Sequence, residues 1–143
     1  MKIFDHPEAR AAFFREHDVE TRDGIAVLRG FVSTENLVHV CVWCPYCQVF
    51  HLHGTGGAEV VAKEGVKAGD GHRVAHCIDD DSPFRRGGYY VEADRFGSKR
   101  EFHLRRPKCH VCGRGLPKYH RTPYHDKCRE EFAQRYAVED DAA

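Results

Sequence analysis

The chain has 143 residues, of which 41% are hydrophobic and 31% charged, and its 22 basic and 22 acidic side chains leave no net charge. This composition excludes a disordered or low-complexity chain, and the length allows one domain or a small core with an appended module. No apolar run follows the initial Met, so neither a signal peptide nor a membrane span is expected, and a reducing cytoplasm is the expected compartment.

Asp5 reads as a helix N-cap, with Pro7 in the first turn and Glu8 completing a capping box. It predicts a helix over about residues 6–17, anchored by Phe13 and Phe14 with Ala9 and Ala12 between them. Asp23-Gly24 is a turn signal, and IAVLRGFV behind it reads as a strand in which Gly30 marks a bulge or bend. In LVHVCVWC, Leu37, His39, Cys41 and Trp43 alternate with Val38, Val40 and Val42, which is the period of a strand. That strand runs into Cys44-Pro-Tyr-Cys47 and is followed by another, QVFHLH. After a glycine-broken connection with a short element at AEVVAKEG, further strands are expected at HRVAHCI, YYVEAD and REFHLR. The body, residues 1–106, is therefore expected to be α+β: an N-terminal helix on a small, mostly antiparallel sheet. Residues 107–137 form a separate small module ending in a helix over 126–136, with Cys128, Phe132 and Tyr136 as its apolar stripe at i, i+4 and i+8. Residues 138–143 are an acidic tail.

Seven cysteines and eleven histidines in a chain expected in a reducing compartment point to metal rather than to disulfides. The clearest set is C-terminal. Cys109-x2-Cys112-Gly113 is a zinc knuckle, with Gly113 relieving the backbone just past the second thiol. His125-x2-Cys128 places two more ligands on one face of a helical turn. Cys109, Cys112, His125 and Cys128 make a closed set of three thiolates and one imidazole, as structural zinc requires. The segment CHVCGRGLP…YHDKCREEF resembles the small treble-clef zinc fingers that close many bacterial and phage proteins in the form CxxCGxxLP…YCSxxCR, with His125 where that pattern usually has Cys. His110, inside the knuckle, is expected to face solvent, and His120 to be an ordinary hairpin residue.

The pair Cys44 and Cys47 is half of a second zinc site, with Cys77 as the best further ligand. The fourth remains open among His51, His53, His72 and His76, and His76, beside Cys77, is preferred. Two zinc ions per chain are expected. Cys41 completes an evenly spaced triplet that could signal an iron–sulfur cluster. The triplet runs on to His51 rather than to Cys-Pro, however, and the strand alternation makes Cys41 an ordinary buried thiol. CPYC is also a glutaredoxin-type tetrapeptide, but the segment after it, QVFHLHG, is strand-like rather than helical. CPYCQVFHLHG together with GHRVAHC…GGYYVEA resembles an uncharacterised group of small metal-binding proteins of actinobacteria and their phages, with CPxCxxxHxHG and then GHRxAHC. The resemblance implies a bacterial host cell and no particular activity.

Catalysis is not expected. An HNH-like nuclease needs further His or Asn side chains on the finger, and the only Asn of the chain is Asn36. The deaminase pattern lacks its His-x-Glu. What the sequence does offer is polarity. Residues 99–129 hold ten Lys/Arg and two Asp/Glu, a local excess of +8 that the remainder balances with −8. The expected function is non-catalytic binding of nucleic acid, DNA or RNA, in a regulatory role, through Arg100, Arg105, Arg106, Lys108, Arg114, Lys118 and Arg121, with Tyr119 and Tyr124 stacking on bases. The alternative is a zinc-stapled module that docks on a host protein.

Overall fold

The computed structural model describes residues 2–117 and 119–138. A short 3-10 turn, Ile3–Asp5, leads into helix α1, Pro7–Glu16. The helix opens with Pro at its first position, where the missing N–H costs nothing. Asp5 is not its cap. Its carboxylate instead accepts from the Lys2 backbone N–H at 3.0 Å, and His6 holds the N-cap position without a side-chain bond.

Six strands form one sheet: β1 Glu20–Arg22, β2 Ile25–Ser33, β3 His39–Cys44, β4 Val49–Gly54, β5 Gly71–Arg73 and β6 Tyr89–Gly97. Their order is β4-β3-β2-β6-β5, with β1 also on β2. All pairings are antiparallel except that of β2 with β6. The sequence of β2 explains its central place. IAVLRGFVS is an almost unbroken apolar run, and nearly every side chain of it is buried, as suits a strand covered on both faces. Gly30 is needed there for space: a Cβ at this position would stand 2.9 Å from the Cys41 carbonyl oxygen of β3. The β2–β6 register shifts between Gly30 and Phe31, but the extra residue is Asp94 of β6, so the irregularity lies opposite Gly30 rather than in β2 itself.

Helix α2, Ala58–Glu64, and a 3-10 turn, Gly65–Gly69, fill the connection after β4. Two expected strands are not formed as such. HRVAHCI is extended only over β5, because the chain breaks after Arg73 and turns Cys77 inward. REFHLR is a 3-10 segment, Lys99–Leu104, started by Ser98, whose hydroxyl accepts from the Arg100 N–H. β6 has already run to Gly97, and the chain then folds over the sheet so that Phe102 stacks on Phe50 at 4.6 Å. The C-terminal helix is a 3-10 turn, Asp126–Cys128, followed by α3, Arg129–Arg135.

The sheet has two distinct faces. Register puts His51 opposite Val42 and His53 opposite Val40, so both imidazoles share the core-facing side of β3 and β4 with Cys44. Trp43 pairs with Phe50 and Cys41 with Leu52 on the outer side. The core on the inner side is aromatic. Phe13 of α1 meets Phe4 at 5.6 Å, Tyr46 at 5.8 Å and Phe84 at 6.3 Å, in edge-to-face arrangements. Phe132 and Tyr136 join the same cluster, as the i, i+4 stripe predicts. The C-terminal segment therefore shares its core with the body. Among the described residues no helix is long and apolar enough to cross a membrane.

Candidate metal centres

Two clusters of potential ligands stand out, each with its four donor atoms within 4.8 Å of one another: Cys44, Cys47, His51 and Cys77, and Cys109, Cys112, His125 and Cys128. All of these cysteines are free. Zinc with sulfur at about 2.3 Å and imidazole nitrogen at about 2.0 Å sits in a tetrahedron with edges of about 3.8 Å between sulfurs and about 3.6 Å from sulfur to nitrogen. The Cys44 and Cys77 sulfurs are 3.8 Å apart, and Nε2 of His51 is 3.6 Å from the Cys77 sulfur. In the second cluster the Cys112 sulfur lies 3.3 Å from Nδ1 of His125. Two sets of three cysteines and one histidine are compatible with two zinc ions.

Both clusters are built on the same local device. In each, the residue after the second cysteine has left-handed backbone, Gln48 with φ 57° and Gly113 with φ 74°. Its N–H returns to the first cysteine's carbonyl, at 2.8 Å from Gln48 to Cys44 and 3.0 Å from Gly113 to Cys109. The turn aims backbone N–H groups at the first sulfur: Cys47 N–H at Cys44, 3.3 Å, and Val111 N–H at Cys109, 3.4 Å. Gly113 meets this backbone requirement at little cost. Gln48 meets it with a side chain, which is used elsewhere.

The fourth ligand of the first centre corrects the sequence reading. His51 stands with the three thiols, and His76 does not: it is exposed and lies against His53, with ring centroids 4.3 Å apart. Register explains this. The turn at residues 45–48 pairs Cys44 with Val49, so His51 falls on the same face two residues further along β4. Period-two parity across a four-residue hairpin loop would have found it. His53 shares that face but hydrogen-bonds the Tyr89 hydroxyl, and burial, with neighbouring cations, lowers its pKa to about 4. His72 bonds the Gly87 carbonyl at 2.6 Å. Cys41 is fully buried on the outer face, away from both clusters, and burial pushes its thiol up to about 11. The triplet is thus not a cluster motif.

Supporting hydrogen bonds hold the ligands in place. The Ser82 hydroxyl donates to the Cys77 sulfur at 3.1 Å. The Tyr46 hydroxyl, inside the first knuckle, donates to Asp79 at 2.6 Å and so ties the knuckle to the Cys77 loop. His125 donates through Nε2 to the Gly115 carbonyl at 3.2 Å, which leaves Nδ1 to face the thiols. Within each cluster some thiols are shifted in opposite directions. Hydrogen bonds from the Cys44 and Cys47 thiols hold Cys77 far below its usual range, while burial drives Cys44 far above its own. Burial opposes ionisation of Cys109, but the backbone N–H groups around it bring that thiol down to about 6, and burial pushes Cys128 up to about 11. A divalent cation entering either cluster displaces the protons that thiols such as Cys44 and Cys128 hold more tightly, so binding strengthens as pH rises.

The expected nucleic-acid contacts divide. Arg100, Arg105, Arg106, Lys108, Arg114 and Arg121 are exposed, and Tyr119 is 88% exposed. Lys118 lies outside the described residues. Tyr124 cannot stack on a base: it is buried against Phe132, with centroids 4.9 Å apart. His110 also departs from expectation, stacking on Phe132 and donating to the Tyr46 carbonyl at 3.0 Å. Burial lowers its pKa to about 4.

Fold and sites together define a small α+β protein with two centres of three cysteines and one histidine. Comparison with protein-family models, with curated proteins and with solved structures gives no match.

Proposed function

We propose that this is a non-catalytic, zinc-stabilised protein that binds nucleic acid through the basic stretch at residues 99–129. The observation that carries the reading is the state of its cations. The arginines of the body are largely paired: Arg22 and Arg29 with Glu20 and Glu92, and Arg95 with Glu101. Among the described residues, none of Arg100, Arg105, Arg106, Lys108, Arg114, Arg121, Lys127 and Arg129 makes an ion pair. With no ion pair to hold them, these cations are open to the phosphates of an anionic polymer. Each zinc with three thiolates carries a formal charge of about −1, so the metals act as staples rather than as a source of positive charge. Within this reading the C-terminal centre is a treble-clef finger: a knuckle, the bridge between Lys108 and Gly115, and a 3-10 turn that brings Cys128 at the start of α3. The motif resemblance to proteins of actinobacteria and their phages supports a bacterial host cell, and the regulatory role is part of the proposal itself.

Salt dependence tests the proposal. Binding to DNA or RNA should weaken steeply between about 50 and 200 mM salt, and charge reversal at Arg105 and Arg106 together should lower the slope by about two. A flat salt response would reject phosphate contact. A second reading, docking on a host protein, is favoured by Val74 and Ile78, apolar side chains 76% and 72% exposed in the loop that carries Cys77. It predicts that charge at those two positions abolishes partner binding and leaves nucleic-acid binding unchanged.

A further inference from the structure

The outer face of β3 and β4 carries a second feature that composition does not reveal. Trp43 and Phe50 stand edge to face there at 5.2 Å, and Phe102 of the 3-10 segment stacks flat on Phe50, with 9° between the rings. These three rings line an open groove of about 700 Å³. Its walls include Arg105, Arg106, His103 and His120, and among the described residues no carboxylate lines it. Arg105 lies over the Trp43 ring, 4.6 Å from its centroid, so a flat cation already occupies the face of the indole. Arg105 is exposed and can leave that position for a phosphate.

We propose that this groove takes the unpaired bases of a single-stranded nucleic acid, stacking them on Trp43, Phe50 and Phe102 while Arg105 and Arg106 hold the flanking phosphates. The inference rests on the nucleic-acid reading above and narrows it. Aromatic rings in a groove bordered by unpaired cations match a polymer that alternates π-faces with phosphates. A duplex keeps its base faces inside the stack and offers the rings nothing. An acidic peptide could satisfy the arginines, but it brings no flat π-groups to the aromatic wall of the groove.

Trp43 is the only tryptophan of the chain, so its emission reports directly on the groove. The experiment titrates the zinc-loaded full chain with a single-stranded oligonucleotide, with a blunt duplex of equal length and with a glutamate-rich peptide, following both Trp43 fluorescence and the anisotropy of labelled ligand. The single strand should quench Trp43 and bind about tenfold or more tighter than the duplex, and Phe102→Leu should weaken that binding about tenfold with zinc content unchanged. Arg106→Glu, at an exposed rim position, serves as a second variant that does not touch the ring stack. Equal binding of single strand and duplex with unchanged Trp43 emission overturns the base-stacking inference while the nucleic-acid reading survives. Binding of neither nucleic acid overturns both. Quenching by the peptide alone overturns both in favour of a protein partner.

Discussion

At the scale of single residues, His51 and His76 give the sharpest contrast. Both lie near Cys77, yet only His51 presents a nitrogen to the three sulfurs, at 3.6 Å from one of them. His51→Ala should lower the zinc content from two ions to one, and His76→Ala should leave it at two, as read by native mass spectrometry or elemental analysis. The reverse result would return the site to the neighbour of Cys77. Choosing His51 from the sequence required knowing the register of the β3–β4 hairpin, which a pattern of single residues does not contain. The thiols were more legible, because two knuckles announce themselves by spacing alone. Cys41 was legible too, since strand alternation by itself separates it from Cys44. His110 was not: its burial depends on Phe132 and Tyr46, which are distant in sequence and meet it only in the folded chain.

At the scale of elements, β2 organises the molecule, and Gly30 is its most constrained position. The β3 backbone passes so close that a methyl group there would press on the Cys41 carbonyl and the side chains of Val40 and Val42. Gly30→Ala should therefore cost about 1–3 kcal/mol, the usual penalty of overpacking a tight core. Chemical denaturation should show a lower midpoint at unchanged slope; an unaltered midpoint would mean the strands part easily. Long apolar or periodic segments such as β2, β3 and α1 could be read from sequence because their own pattern decides them. The segment REFHLR could not. Its alternation is that of a strand, but β6 ends at Gly97, Ser98 starts a 3-10 turn, and the stacking of Phe102 on Phe50 holds that turn over the sheet. The strand at HRVAHCI was likewise cut short by the demand that Cys77 reach the metal cluster.

At the scale of the whole molecule, the two centres are not separate staples. The C-terminal segment reaches the first knuckle by three side-chain bridges. His110 donates to the Tyr46 carbonyl and His120 to the Cys47 carbonyl at 2.6 Å, while the Gln48 amide pairs with both backbone groups of Lys108. Every one of these contacts touches a knuckle residue of the first centre and a residue in or beside the second. Phe132 and Tyr136 join the same core as Phe4, Phe13 and Tyr46, so the apolar packing runs in parallel with the polar bridges. Ordering one centre therefore prepares part of the other, and metal binding at the two should be coupled. Cys109→Ser, which removes a ligand from the second centre only, should make the zinc left at Cys44, Cys47, His51 and Cys77 about tenfold easier to extract with a chelator, a factor equal to a coupling of about 1.4 kcal/mol. Where each substitution acts only by emptying its own centre, linkage requires that Cys77→Ser loosen the second centre by the same factor. Chelator competition on the two variants reads both numbers. If each variant keeps its remaining zinc as tightly as the unaltered protein does, the bridges hold the knuckles side by side without linking their metals.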